Sequence, residues 1–167
     1  MKVLVTYGSK RGGTEGLAQW VAEGLRDEGF DTDLLPPRQV KDIGQYDAVV
    51  VGGALYAFHW HKAARRFVKR HAKQLRQRPT YLFASGPLDD SAAKDALPPV
   101  KGVQALMDKV HASGQMTFGG RLTPDAKGFP ASAMAKNHAG DWRDCEQVRV
   151  WVHLIAAELR PKVAHPV

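Results

Sequence analysis

Residues 7–14 read Tyr-Gly-Ser-Lys-Arg-Gly-Gly-Thr, and this stretch indicates the fold class more directly than any other part of the chain. It follows an apolar run that predicts a first strand over Lys2–Tyr7. It precedes apolar residues at four-residue spacing, which predict a helix over Thr14–Glu28. The first turn of a helix has unpaired N–H groups and a partial positive charge, so this glycine- and hydroxyl-rich turn is suited to hold a phosphate.

The turn differs from two widespread phosphate-binding loops. The dinucleotide fingerprint G-x-G-x-x-G is absent, because Gly8 is followed by Ser9-Lys10 instead of by one residue and a second glycine. The Walker loop is absent as well, because Gly12-Gly13-Thr14 stands where that loop requires Gly-Lys followed by Ser or Thr. The turn is therefore another class of phosphate site, or an ordinary turn whose glycines relieve backbone strain.

The rest of the chain alternates between strand-like and helical patterns. Strand-like runs are Lys2–Tyr7, Thr32–Leu35, Ala48–Gly53, Thr80–Ser85 and Gln115–Phe118, and helical periodicity covers Thr14–Glu28, His61–Gln77, Val100–Ala112 and Arg143–Leu159. This alternation predicts an α/β fold, a three-layer sandwich with a five-stranded parallel sheet of order 2-1-3-4-5 and helices on both faces. The loops after strands 1, 3 and 4 then meet at one edge of the sheet, where ligands bind in such folds.

Length and composition predict one domain without a membrane span. With 167 residues, we expect a single domain over residues 1–160 and a frayed tail over residues 161–167. No apolar stretch approaches the ~18 residues of a membrane span, and no signal-peptide pattern is present, so we expect a cytoplasmic location. The single cysteine, Cys145, excludes an internal disulfide and a cysteine-based metal cage.

Two loops at the predicted edge have sequences suited to a flat aromatic ligand. The third strand runs into Gly52–Trp60, where small residues precede Tyr56, Phe58 and Trp60. Glycines permit close backbone approach and aromatic side chains permit stacking, so this loop predicts a slot for a ring. The fourth strand ends in Ser85–Leu88, a second turn that passes near the same ring. The alternative is that the aromatic side chains only cover the edge of the sheet.

The phosphate turn resembles the phosphate loop of the flavodoxins. That loop has a hydroxyl residue, two further residues, a glycine, one more residue and a threonine, and Ser9, Gly12 and Thr14 match it. The chain departs from the pattern at Lys10 and Arg11, where small hydroxyl residues are usual. The departure changes the charge of the loop and leaves its hydroxyl and glycine positions intact.

The resemblance extends over nearly the whole chain, and it is to the flavodoxin-like branch that includes the bacterial menaquinone-dependent protoporphyrinogen oxidases. Its most specific stretch is Gly52–Leu75, and Ser85–Leu88 and Gly140–Asp144 are similar to further flavodoxin-domain proteins of that branch. The resemblance implies a non-covalently bound FMN. By position it implies that the phosphate is held by Ser9, Lys10, Arg11, Gly12, Gly13 and Thr14, and that the isoalloxazine ring is flanked by Ala54, Leu55, Tyr56, Ala57, Ser85, Gly86, Pro87 and Leu88.

One predicted helix supplies the whole net charge of +7. Between Lys62 and Arg78 the sequence has no acidic residue, and its basic residues are Lys62, Arg65, Arg66, Lys69, Arg70, Lys73, Arg76 and Arg78. A purely structural surface helix gains from mixed charges, so this helix predicts an anionic partner. The partner classes are an acidic redox protein and an anionic membrane surface near a quinone pool, with nucleic acid the least supported. A solvated surface helix is the alternative.

Two function classes follow from these observations. The first is an FMN-binding redox protein that carries electrons, either as a shuttle or as an enzyme that oxidises a porphyrinogen-type substrate or exchanges electrons with a quinone at the inner face of a membrane. The second is a non-catalytic interaction module that docks an anionic partner through Lys62–Arg78. The sequence identifies no catalytic residue. It predicts no metal site, because His59-x-His61 has no third ligand nearby.

Overall fold

The computed structural model describes residues 1–10, 12–127, 134–136 and 139–161, so Arg11 and the predicted tail from residue 162 onward lie outside the described residues. The parallel strands are β1 (Lys2–Gly8), β2 (Asp31–Leu35), β3 (Ala48–Tyr56), β5 (Thr80–Ser85) and β6 (Gly114–Phe118), and β4 (His59–Trp60) pairs antiparallel with the end of β3. The parallel strands lie in the order β2-β1-β3-β5-β6. This confirms the predicted order 2-1-3-4-5, in which the parallel strands alone were counted.

Helices cover both faces of the sheet. They are α1 (Gly13–Asp27), α2 (Lys62–Arg70), α3 (Ala72–Leu75), α4 (Ser91–Lys94), α5 (Lys101–Val110) and α6 (Cys145–Leu159), with a 3-10 turn at Pro37–Gln39. One core lies between the sheet and α1 and α6, where Trp151 packs edge-on against Phe83 and Phe118. The other core lies between the sheet and α2, α3 and α5, and it buries Phe67 and Leu75. The predicted three-layer α/β sandwich is confirmed.

Strand register brings the carboxyl ends of three strands to one edge. Gly8 at the end of β1 lies beside Gly53 of β3, and the next residue of β3, Ala54, lies beside Ser85 at the end of β5. The turn before α1, the β3–β4 hairpin and the loop after β5 therefore start side by side. Among the described residues, none of the helices is long and apolar enough to cross a lipid bilayer.

Two aromatic rings occupy the space that the glycines of β3 leave open. A Cβ atom at Gly52 would overlap the ring of Phe83, on the face of the sheet that α1 and α6 cover. A Cβ atom at Gly53 would overlap the indole of Trp60, on the opposite face. These glycines therefore admit the protein's own core side chains, and not a ligand ring as the sequence suggested.

The predicted helix His61–Gln77 is wrong as a single element, because it breaks at His71. The backbone there leaves helical values, with φ −102° and ψ 14°, and the chain continues as the short helix α3. Buried residues recur at helical spacing on both sides of the break, so the sequence pattern did not reveal it. His71 is buried and its ring centroid lies 4.6 Å from that of Phe67, as expected for a packed histidine.

The segment after β6 contains secondary structure that the sequence did not predict. β7 (Arg121–Leu122) pairs antiparallel with β8 (Gly140–Asp141) in a small separate sheet. Each strand is only two residues long, which is too short for an alternating pattern to be recognised. The pairing fixes both ends of a segment that the sequence presents as one long loop.

Candidate functional site

A cavity of about 760 Å³ opens at the edge of the sheet where β1, β3 and β5 end. Most of the predicted cofactor-binding residues line it: Ser9, Gly13, Thr14, Ala54, Leu55, Tyr56, Ala57, Ser85, Gly86, Pro87 and Leu88. Gly12 borders a neighbouring groove over the start of α1, and Lys10 is exposed outside the lining. The fold thus brings three loops that are distant in sequence to a single cavity.

One end of the cavity is formed by the turn before α1. The Ser9 hydroxyl accepts a hydrogen bond of 3.1 Å from the Gly12 N–H, and Gly12 adopts φ 79°, which favours glycine. No side chain caps α1, so the N–H groups of its first turn lack partners within the helix. Thr14 is only 1% exposed, and its buried Oγ1 has no hydrogen-bond partner among the described residues. This end of the cavity therefore presents donors without acceptors, as an anion site requires.

An aromatic hairpin tip forms a second wall. Tyr56 is 36% exposed and Phe58 is 83% exposed, and both line the cavity. The hairpin turns through left-handed backbone at Ala57 (φ 46°) and Phe58 (φ 65°), which is unusual for residues other than glycine. Trp60 does not line the cavity, because it is 1% exposed and its indole N–H donates to the Phe83 carbonyl oxygen at 3.2 Å. Two of the three predicted aromatic residues are thus available to a ligand.

A third part of the cavity lining comes from two segments that pack closely, the loop after β5 and the segment after β6. The Gly120 N–H donates to the Pro87 carbonyl oxygen at 2.8 Å, and a Cβ atom at Gly120 would lie 2.9 Å from the Gly86 oxygen. Sequence reasoning missed several residues of this wall, among them Leu97, Pro98, Val100, Thr117, Arg121 and Leu122. Pro87, Pro98 and Pro99 and the long segment after β6 are sequence signals from which most of these residues could have been found.

Arg143 links the segment after β6 to the start of α1. Its Nε and Nη2 donate to the two carboxylate oxygens of Asp141 at 2.9 and 2.8 Å, and its Nη1 donates to the Gly13 carbonyl oxygen at 3.2 Å. The guanidinium lies over the Trp20 ring, 5.2 Å from its centroid, and the side chain is 9% exposed. The hydrogen bonds from Arg143 hold the pKa of Asp141 below its usual value. We call Asp141 and Arg143 the clasp.

His61, near the cavity, has a structural role. His61 precedes α2, and its Nδ1 accepts a hydrogen bond of 3.1 Å from the Ala63 N–H. Burial, and then the charges of Arg65 and Lys10, lower the pKa of His61, which therefore stays neutral near pH 7. Among the described residues, no three His, Cys, Asp or Glu side chains lie close enough together to hold a metal ion.

Seven of the eight cations of the predicted basic helix fall into two groups, and the eighth, Arg65, is only half-exposed. Lys62, Arg66, Lys69, Arg70 and Lys73 are exposed, and within the described residues they form no ion pair. We call these five residues the basic face. Two other cations instead bind backbone carbonyls: Arg78 Nη1 donates to the oxygens of Ile43 and Tyr46, and Arg76 Nε donates to that of Lys109. Their hydrogen bonds hold the end of this region against its neighbours.

The family model for the flavodoxin domain matches residues 4–130 of this chain. The chain belongs to the flavodoxin domain family. The matched range contains most of β1, all of β2 to β7 and all three loops that line the cavity. Membership of this family indicates FMN as the cofactor. Asp141 and Arg143 of the clasp lie beyond the matched range.

Among curated proteins, the flavodoxin domain is similar to the protoporphyrinogen IX dehydrogenase [quinone] of Escherichia coli strain K12. The two are 29% identical over 86 residues, which cover 50% of this chain and 48% of the relative. The same extent of similarity is found for the enzymes of Escherichia coli O6:H1 and O157:H7. The alignment thus spans about half the length of the curated relatives.

Solved structures with the same fold include two flavodoxins and a larger enzyme. Flavodoxin 1 from Bacillus cereus matches with a TM-score of 0.63 and 14% identity over 96% of this chain and 100% of that chain. A cysteine-to-serine mutant of the flavodoxin from Pseudomonas aeruginosa matches with a TM-score of 0.61 and 16% identity over 95% and 99%. Rubredoxin oxygen:oxidoreductase from Desulfovibrio gigas matches with a TM-score of 0.67 and 19% identity, and the match covers 98% of this chain and 37% of the larger chain. At these identities the likeness shows the fold.

The residues of the cavity fit FMN. The unpartnered Thr14 hydroxyl beside an uncapped helix suits a phosphate, which offers acceptor oxygens and negative charge. Leu55, Tyr56, Pro87 and Leu88 form apolar walls that suit a flat ring system. Both ends belong to the same cavity, as a ligand with a ring at one end and a phosphate at the other requires.

Proposed function

We propose that this flavodoxin domain is an FMN-dependent redox protein that carries electrons. The phosphate would be held by Ser9–Thr14, and the ring would lie between Ala54–Ala57 and Ser85–Leu88. The observation that carries the proposal is the single cavity that joins an unpartnered anion site to an apolar, aromatic-walled slot. Bound FMN supplies one- and two-electron transfer, and the chain's own residues bind it, orient it and exclude water from its ring.

The first test is the visible spectrum of the purified protein, with the released ligand identified after heat denaturation. We expect flavin absorption bands, release of FMN, and recovery of one FMN per chain when the flavin-free protein is mixed with excess FMN. A colourless protein that ignores added FMN would contradict the proposal. It would favour the alternative, a non-catalytic module that acts through its basic face.

The substitution Thr14→Val, compared with a control at Thr6, tests the phosphate end of the site. Thr14→Val removes a buried hydroxyl that has no hydrogen-bond partner among the described residues, so we expect the free energy of unfolding of the flavin-free protein to rise by about 1 kcal/mol. The same change removes a donor to the phosphate and is expected to weaken FMN binding by about tenfold. Chemical denaturation and flavin fluorescence titration measure the two effects.

Thr6→Val is the matched control for this experiment. The Thr6 hydroxyl is also buried without a hydrogen-bond partner in the part of the chain that the structure describes, but it does not line the cavity. We therefore expect a similar gain in stability and no change in FMN affinity. If both variants weaken FMN binding equally, Thr14 does not contact the phosphate.

We further propose that quinones are the class of electron partner. The cavity is also lined by the apolar residues Leu97, Pro98, Val100 and Leu122, which suit a flat apolar molecule. The printed name of the Escherichia coli relative includes a quinone and protoporphyrinogen IX. Oxidation of the photoreduced protein by a soluble quinone under anaerobic conditions tests this step. Reduction of the oxidised protein by a porphyrinogen under the same conditions tests porphyrinogens as electron donors. Reoxidation no faster than that of free reduced FMN would contradict the quinone assignment.

The basic face supports a docking role on an anionic lipid surface. Four of its five cations lie on the exposed side of α2 over about 12 Å, and Lys73 lies on α3, beyond the break at His71. α2 begins two residues after β4, and the tip of the β3–β4 hairpin carries the exposed Phe58. Cations beside an exposed aromatic side chain favour a lipid interface, and they would place the mouth of the cavity near membrane-dissolved quinone.

Charge reversal tests this docking surface. We expect the protein to sediment with phosphatidylglycerol-containing vesicles and not with pure phosphatidylcholine vesicles, since each cation contributes about 1 kcal/mol near an anionic surface. Lys69→Glu combined with Lys73→Glu is expected to weaken this binding by more than about tenfold. Lys41→Glu combined with Arg149→Glu has the same charge change outside the basic face and is expected to retain most of the binding.

Two outcomes would contradict membrane docking. Wild-type protein that stays unbound with both kinds of vesicle would exclude a lipid surface, and an acidic protein would then be the anionic partner to search for. Equal losses in the two double variants would show that net charge matters and that the basic face does not.

A further inference from the structure

Arg121 is a cation held over the start of α1. Its Cβ lies 3.4 Å from the position that a Cβ atom at Gly13 would occupy. It borders both the main cavity and the neighbouring groove over α1, so it forms part of the wall between them. Its side chain is exposed, and no hydrogen bond or ion pair from the described residues engages it. A guanidinium at this place is free to meet a ligand at the phosphate end.

The clasp fixes the backbone of Arg121. In the small sheet Arg121 lies opposite Asp141, and Leu122 lies opposite Gly140. Both carboxylate oxygens of Asp141 accept hydrogen bonds from Arg143, which is in turn bonded to the Gly13 carbonyl oxygen. Asp141 therefore orients Arg143 and leaves Arg121 without a hydrogen-bonded counter-ion.

Of the two cations around the start of α1, Arg143 is balanced by the Asp141 carboxylate, so Arg121 is the one that gains from an added anion. The N-terminal end of a helix has a partial positive charge, so nearby cations repel it. Arg121 and Arg143 both lie at this end, and the acidic residue of the first turn, Glu15, accepts a hydrogen bond of 3.0 Å from the Tyr7 hydroxyl. A phosphate between the helix start and Arg121 would meet both the partial positive charge of the helix and the Arg121 guanidinium.

We propose that Arg121 is a phosphate-binding residue of this site and that Asp141 and Arg143 position it. The inference rests on the proposed FMN function, and it adds a guanidinium to a loop pattern made of hydroxyl groups and glycines. An arginine can donate two parallel hydrogen bonds to a phosphate, which makes it a strong and directional partner. We therefore expect this site to distinguish FMN from riboflavin, which has the same ring and lacks the phosphate.

The test compares FMN and riboflavin binding to flavin-free protein by fluorescence titration. Arg121→Gln is expected to weaken FMN binding by about tenfold to a hundredfold and to change riboflavin binding by less than about twofold. Arg149→Gln removes one charge from an exposed position of α6 and is expected to leave both affinities unchanged. Because Arg121 is exposed, its variant is expected to fold, which circular dichroism and thermal unfolding check. Arg121→Lys should recover only part of the FMN affinity.

Each result bears on the assignment of Arg121. A selective loss of FMN affinity supports it, whereas an equal loss for both flavins, or no loss, overturns it. If the wild-type protein binds FMN and Arg121→Gln binds it equally well, only this inference is overturned. Wild-type protein that binds neither flavin overturns the proposed function, and the assignment with it.

Discussion

Replacing Trp60 with alanine is expected to lower the free energy of unfolding by about 3–5 kcal/mol, the range seen when large aromatic side chains are removed from a core. Trp60 is 1% exposed, its ring lies over Gly53, and its indole N–H donates to the Phe83 carbonyl oxygen. The substitution removes a full aromatic side chain and leaves a cavity between β3 and α2, which the packed surroundings fill only in part. Urea denaturation of the flavin-free protein measures the loss.

Phe58→Ala is the control, since it removes an aromatic side chain two residues earlier in the same hairpin. Phe58 is 83% exposed, so we expect its loss to change stability by less than about 0.5 kcal/mol. If it contacts the ring of FMN, the same variant should weaken FMN binding without a loss of stability. A small effect of Trp60→Ala, or a large effect of Phe58→Ala on stability, would contradict the positions of these two side chains.

Gly52→Ala is expected to destabilise the flavin-free protein by about 1–3 kcal/mol, as overpacking of a core does. The new methyl group would overlap Cζ and both Cε atoms of the Phe83 ring. Phe83 cannot move aside freely, because it packs edge-on against Phe118 at 5.8 Å and Trp151 at 6.0 Å between ring centroids. The strain must therefore spread into the sheet or the core. Thermal and urea unfolding measure it.

Gly102→Ala is the matched control, and its effect is expected to have the opposite sign. Gly102 lies in α5, and a Cβ atom there would meet nothing within 4 Å. Because alanine restricts the unfolded chain and favours the helix, we expect a gain of about 0.5–1 kcal/mol. If the two substitutions had equal effects, the close approach of Phe83 to Gly52 would not explain the glycine.

Local patterns in the sequence were sufficient where the elements are long and regular. β1, α1 and their connecting turn were recognised from an apolar run, a four-residue spacing and a glycine-rich link, and the structure places them within one or two residues of the predicted bounds. The sheet order followed from right-handed crossovers between alternating strands and helices. The same rule brought Ser9–Thr14, Ala54–Ala57 and Ser85–Leu88 to one edge, and all three ranges contribute residues to the cavity.

The sequence did not distinguish side chains that face solvent from those that face the core. Tyr56, Phe58 and Trp60 alternate along the hairpin, yet the left-handed backbone at Ala57 and Phe58 separates exposed rings from a buried one. Arg78 belongs to a continuous run of positive charge, but the fold brings it to the carbonyl oxygens of Ile43 and Tyr46. Such contacts join residues more than thirty positions apart, and no local pattern records them.

The sequence by itself determined the α/β layers, the strand order, the edge at which the cavity opens and the family resemblance that implies FMN. These properties depend on hydrophobic periodicity, turn residues and the handedness of crossovers, all of which are local or general. Only the tertiary structure decided that Trp60 is a core residue, that five cations form the basic face and that Arg121 lies over the start of α1. Those outcomes depend on packing between distant segments, because the space beside Gly52, Gly53 and Gly13 is filled by residues from other parts of the chain.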